Sequence, residues 1–253
     1  MRKGRKIGFV VMFSLVVLAL VFAGDTATNM SIRLQSPGLE HPFGTDSFGR
    51  DLLCRVASGF LVSILLSSAV TLSATLGGIL LSLLMVRSSF LGTMSRGVSD
   101  ILKSLPSIML ALFFVSLFGQ NVFILYLALT LAQIPNIART SQSRILVLQN
   151  EEYMTGLTAL GIGRARIVLR HYVPHIYPEI ANQSIGIFST TILTESSLSF
   201  LGCGLPPTFP TLGSIMAEGR SFLFTSPFLF AFPAVVLFLA GLSLYLIQDG
   251  SRS

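Results

Sequence analysis

Six runs of apolar residues, roughly 16 to 28 long, constrain this chain more than any other feature of its sequence. The hydrocarbon core of a bilayer is about 30 Å thick and an α-helix rises about 1.5 Å per residue, so such a run has the length of a membrane crossing. Only 11% of the residues are charged and 52% are hydrophobic, whereas about 25% of a soluble domain is charged. So little charge cannot cover a water-facing surface. A soluble enzyme or binding module is therefore excluded, and an all-α polytopic membrane protein remains.

The runs predict spans at Ile7–Ala23, Gly59–Val86, Val98–Phe118, Val122–Ile137, Ile176–Phe200 and Phe228–Ile247. Basic residues cluster at their ends. With both termini in the cytoplasm, the inside segments carry twelve lysines and arginines, and the outside segments carry four (Arg33, Arg50, Arg55 and Arg220). That asymmetry is the positive-inside pattern. It explains the net charge of +6 by membrane orientation and predicts a lipid partner rather than nucleic acid. The basic leader and the "VFA" end of the first run also fit a signal peptide cleaved after Ala23, but the apolar core is longer than the usual 7–15 residues, which favours an uncleaved anchor.

The longest cytoplasmic connection, about Ala138–His175, contains "ALGIGRARIVLRHYVPH" at 159–175. No proline falls between Glu151 and Val173, and Leu157, Leu160, Ile167 and Leu169 give a partly amphipathic pattern. The spacing predicts a short helix, a turn around Gly161–Gly163, and a second helix ending before Pro174. An exposed helix held by a tight turn suits docking of a cytoplasmic partner. An interfacial helix whose arginines meet lipid headgroups fits the pattern equally well.

Further stretches resemble the membrane subunits of ATP-binding cassette (ABC) importers. That family places Glu-Ala-Ala, three residues, a glycine, and later an aliphatic residue with proline at the cytoplasmic turn. Here Gly161 stands at the glycine, Ala159 and Leu160 precede it, and Val173 and Pro174 close the segment; Thr155, Gly156 and Leu157 stand where the triplet would be. "HPFGTDSFGRDLLCRVASG" at 41–59, "ILTESSLSFLGCGLPP" at 192–207 and "MAEGRSFL" at 216–223 resemble the dipeptide, oligopeptide and nickel branch. Leu212 in "PTLG" at 210–213 replaces a tryptophan of that branch. The resemblance runs from about residue 41 to 250.

The resemblance implies a type I ABC importer (MetI-like) permease fold with about six transmembrane helices in a bacterial inner membrane. Residues 1–58 would form a cytoplasmic tail, first span and external segment, and 59–250 the transmembrane domain, with a coupling region at about 151–175. It implies a second permease subunit, two ATP-binding subunits and an extracytoplasmic solute-binding protein that delivers peptides, nickel or a related small solute. Thr155, Gly156, Leu157, Ala159, Leu160, Gly161, Arg164 and Pro174 would receive the ATPase motion. The Walker A loop requires Gly-Lys-Ser/Thr, and Lys3, Lys6 and Lys103 do not fit it. ATP-Mg is therefore expected on the partner subunits, and the chain is not expected to be an enzyme itself.

Other residues weigh less. Glu195, in "LTESSLSF", is either a pathway, proton or gate residue, or a structural carboxylate held by the adjacent serines. Asp51 and Arg55 have the i,i+4 spacing of a solvated helical ion pair. His171 and His175 share that spacing, but Pro174 between them argues against an intact helix and against a metal site. Cys54 and Cys203 lie far apart and read as two thiols. Gly77 and Gly78 predict close helix packing. A secondary transporter using Glu195 as its proton site is the alternative from another class; such proteins often have inverted repeats and midplane ionisable groups, and neither is evident here.

Overall fold

Hydrocarbon offers no partner for a backbone N–H or C=O, so a chain this apolar must satisfy its main chain within helices. The computed structural model describes residues 2–24, 27–86 and 90–250, with the side chains of all of these except 2, 3, 155, 158, 159, 164 and 165. Among the described residues there is no strand, only an isolated bridge between Thr45 and Asp51. The helices are α1 (Arg2–Phe22), α2 (Leu52–Met85), α3 (Phe90–Ser104), α4 (Ser107–Phe118), α5 (Val122–Gln149), α6 (Glu152–Ala159), α7 (Arg164–Ile167), α8 (Val173–Phe200), α9 (Leu212–Gly219) and α10 (Phe228–Asp249).

Four of them, α1, α2, α5 and α10, are long and apolar enough to cross a membrane. The expected third span is not one helix. It is the pair α3 and α4, bent by 90°, because Pro106 has no N–H to donate and disfavours the helical conformation at Leu105. The expected fifth span, α8, has 28 residues, long enough to cross, but Gln183, Ser184, Ser189, Thr190 and Glu195 make it more polar than the others. These polar positions face protein or a cavity, as described below.

The expected stop before Pro174 is also corrected. α7 continues through a π-helical turn at Val168–Tyr172 into α8, with Pro174 in the first turn of α8. The Val173 N–H donates to the Val168 carbonyl five residues back. This wider turn makes room for a proline ring that would clash with the carbonyl of an ordinary turn. The helix therefore persists, and His171 and His175 do share a face: His175 Nδ1 lies 2.7 Å from the His171 carbonyl, and Tyr153 sits against both rings.

Lipid tails are as apolar as leucine, so burial of apolar surface does little to hold these helices together; close packing and polar contacts do more. α2 is the centre, lying against α1, α5, α8 and α9. Gly78 of α2 meets α5 so closely that an added Cβ would lie 2.5 Å from Ile137 Cβ. Gly8 of α1 meets α10 in the same way, against the Ser243 carbonyl at 2.6 Å. Both are places where only glycine lets two backbones approach, as the sequence predicted for Gly78.

Candidate functional site

Three arrangements bear on function, and each is built from residues that the helices bring together. The first caps the N-terminal end of α2. Asp51 caps the helix by accepting from the Cys54 N–H at 3.0 Å and pairs with His41 at 2.7 Å. The expected Asp51–Arg55 pair does not form. Arg55 is instead buried, donating to Asp46 at 2.7 Å and bidentately to Glu218 of α9 at 2.6 and 2.9 Å. Asp46 also accepts from the N–H groups of Phe48 (2.8 Å) and Arg50 (2.9 Å) and from Arg50 Nε (2.7 Å). Burial alone would raise the Asp46 carboxyl, but the Arg50 and Phe48 N–H groups and the charge of Arg55 together hold it below the usual carboxylate range. The segment preceding α2 is thus latched to α2 and α9. Glu218 was not identified from sequence, because its partner lies 163 residues away.

The second arrangement is a sealed carboxylate. Glu195 of α8 is fully buried. Ser63 of α2 donates to it at 2.8 Å, Ser199 at 2.7 Å and Ser196 at 3.4 Å. α9 closes over it: Gly213 packs so tightly on Ser196 that a Cβ there would fall 2.1 Å from the Ser196 carbonyl. A capping box between Thr211 and Ser214 fixes the start of α9. Glu195 therefore ties α2, α8 and α9 together.

The third is a polar cavity of about 580 Å³ between α3, α4, α5, α8 and α10. Lys103, Gln133, Asn136, Gln183, Thr190 and Gln248 supply much of its polar lining, and the α3–α4 break contributes Leu105 and Ser107. Non-helical backbone at membrane depth is tolerated where it lines a water-filled cavity, which is what the break does. Gln133 accepts from the Asn136 amide at 2.9 Å, and Gly186 leaves the room that Gln248 occupies. This volume lies within the range of small-molecule sites. Glu195 does not line it. The sequence signal for the cavity was the set of amides within otherwise apolar helices, which only the fold brings together.

Between α5 and α8 the predicted helix and turn are present. α6 ends in a Schellman motif: Gly161 takes φ +72° and the Ile162 N–H returns to the Leu157 carbonyl at 3.2 Å. Gly163 then opens α7, accepting from the Arg166 and Ile167 N–H groups. Gly156 and Leu160 are exposed, Leu160 at 80%, while Met154 and Ile167 anchor the two limbs by burial. The side chains of Thr155, Ala159 and Arg164 lie outside the described residues. Leu157 is half-buried, and Pro174 sits beyond the elbow in α8. The elbow is therefore continuous, through α7 and the π-turn, with the helix that carries Glu195 and part of the cavity wall.

Comparison with known proteins places these features in a family. Residues 74–251 match the profile of binding-protein-dependent transport system inner membrane components. A Brucella suis chain carrying a peptide-transport-permease name is 34% identical over 99% of this chain and 86% of its own length. The dipeptide transport system permease protein of Alkalihalophilus pseudofirmus is 30% identical over 97% of this chain and 83% of its own. Among solved structures, the inward-facing MetNI methionine ABC transporter has a chain of the same fold, with a TM-score of 0.60 at 18% identity, covering 77% of this chain and 91% of that one.

Proposed function

Because this chain belongs to the binding-protein-dependent transport system inner membrane components, as an ABC importer permease of the peptide branch, we propose that it moves short peptides, with ATP hydrolysed on separate subunits. The chain is a multi-pass membrane transport component. On our reading a second permease covers the polar cavity, two ATP-binding subunits holding ATP-Mg dock at the elbow, and an extracytoplasmic solute-binding protein delivers the solute to the outer face. Both termini are cytoplasmic on this reading, residues 59–250 form the transmembrane domain, and 151–175 is its coupling region.

The observation that carries this reading is the continuity of the elbow with α8. A push on α6 has a stiff path: the Gly161 turn, α7, and then a helix whose far half lines the cavity and holds Glu195. Gly156, Leu160 and Leu169 present an exposed, largely apolar surface there for a partner. Thr155, Ala159 and Arg164 belong to the same docking segment, and Pro174 marks its junction with the span. We read Glu195 as part of an outer gate, since it closes α9 onto α2 and α8. A proton-coupled secondary transporter using Glu195 is less well supported, because that carboxylate is sealed off from the cavity.

The test is co-purification of the chain from its native membrane with a cysteine at Gly156, where an added side chain meets nothing within 4 Å. A crosslink to an ATP-binding subunit, lost in the Gly156 parent, is the expected result. Purification of the chain alone, still moving solute on a proton gradient, would overturn the proposal.

A further inference from the structure

Lys103 stands out in the cavity wall. It is the one ionisable group with a full charge among the residues lining the cavity, and its neighbours there are amides, hydroxyls and apolar side chains. It lies in the last turn of α3, immediately before the break at Leu105–Pro106. Among the described residues no carboxylate pairs with it; the acid one turn earlier, Asp100, is engaged with Arg139 of α5. Its side chain is exposed rather than packed away, so its ammonium is open to a solute in the cavity. Lysine can snorkel toward headgroups, but this one lines a polar cavity large enough for a small solute.

Resting on the peptide-importer reading above, we propose that Lys103 is the specificity-determining group of this cavity, pairing with the free carboxylate of a peptide as the solute passes. The amides of Gln133, Asn136, Gln183 and Gln248 line the same cavity and supply neutral donors and acceptors suited to peptide groups of any sequence. The single cation supplies direction, because every free-acid peptide carries one terminal carboxylate whatever its side chains. Attraction there need be only moderate, since a solute that pairs too tightly would not leave.

The test uses the whole reconstituted transporter with its solute-binding protein in proteoliposomes. Uptake of a tripeptide is compared with uptake of its C-terminal amide, for wild type, Lys103→Gln and Lys103→Arg, with the binding protein saturated by each peptide in turn. Because the binding protein is unchanged, its own preference cancels between variants. Lys103→Gln is expected to shrink the acid-to-amide uptake ratio by roughly three- to ten-fold, the range of a partly solvated charge pair, and Lys103→Arg to preserve it.

An unchanged ratio in Lys103→Gln, or an equal loss for both peptides, would overturn the proposal while leaving the importer reading intact. A Lys103→Gln effect that appears only in vesicles containing anionic lipid, and is the same for both peptides, would assign the lysine to a lipid phosphate and overturn it as well. No uptake of either peptide by the wild type, with the ATPase active, would remove the peptide reading itself.

Discussion

Ser63 on α2 donates to Glu195 on α8 at 2.8 Å across 132 residues of sequence, with both side chains fully buried. A hydroxyl bonded to a buried carboxyl group contributes on the order of 1 kcal/mol, and its loss leaves a buried polar atom short of a partner. Ser63→Ala is therefore expected to lower the thermal midpoint of the purified complex. Ser196→Ala, whose hydroxyl is 3.4 Å away, is expected to lower it less. Equal shifts in the two variants would contradict the assigned geometry.

The Arg55 latch gives a graded series. Arg55→Ala leaves the buried Asp46 without its α2 cation and Glu218 with only the longer contact to Arg50 at 3.5 Å, an expected loss of about 3 kcal/mol. Glu218→Ala removes a half-exposed partner while Asp46 stays in place, so its cost is expected to be on the order of 1 kcal/mol. Denaturant titration of the complex followed through a fluorophore within residues 33–50 would rank the two. The reverse order would contradict Arg55 as the centre of the latch.

Acid should loosen the same latch. The Asp46 carboxyl is held below its ordinary range by N–H donors and Arg55 despite its burial. A depressed carboxylate contributes stability that is fully present above its unfolded pKa, about 3.9, and is lost as pH falls through the folded value. Proteolysis between residues 33 and 50 by an acid-active protease is thus expected to rise steeply below about pH 4. Asp46→Asn should be cleaved more readily at pH 6, with a flatter pH profile.

Gly78→Ala is expected to destabilise the α2–α5 contact by about 1–3 kcal/mol, because the methyl would meet Ile137 at 2.5 Å. Combining it with Ile137→Gly, which removes the Cβ that the new methyl meets, should recover part of the loss. Thermal unfolding of the single and double variants measures this, and strict additivity would show that the two residues do not meet.

At the elbow the space around Gly161 is open but its φ is +72°, so the expected cost of Gly161→Ala is in the backbone alone, about 1 kcal/mol. The complex should still assemble, with a reduced ratio of solute moved to ATP hydrolysed. An unchanged ratio would mean that the turn's shape is irrelevant to coupling.

Much of this architecture could be read from sequence where the controlling interactions are local. Apolar runs give helices, and the αL requirement at Gly161 gives a turn in the expected place. The misreadings share a different origin. Asp51 and Arg55 have perfect spacing for each other, yet Arg55 finds stronger partners on a loop and on α9. Pro174 would end an ordinary helix, but five residues of π-turn accommodate it, and no local pattern announces that widening. Leu105–Pro106 did carry a signal for the α3–α4 break, masked by the apolar residues on both sides. The cavity could not be read at all as a unit, since Lys103, Gln133, Gln183 and Gln248 come from four separate helices.

The right angle between α3 and α4 also bears on how a cell must manufacture this protein. At 15 and 12 residues, the two limbs reach only about 22 and 18 Å, and neither alone traverses a hydrocarbon layer of about 30 Å. If a second permease covers the amide-rich groove, as proposed above, a solitary copy would present that groove to lipid tails, a state that costs free energy for every unsatisfied donor. Synthesis in excess of the covering subunit would thus yield a molecule marked as unfinished by its own surface. Its lifetime in the membrane would be set by the supply of that companion more than by the strength of its internal fold.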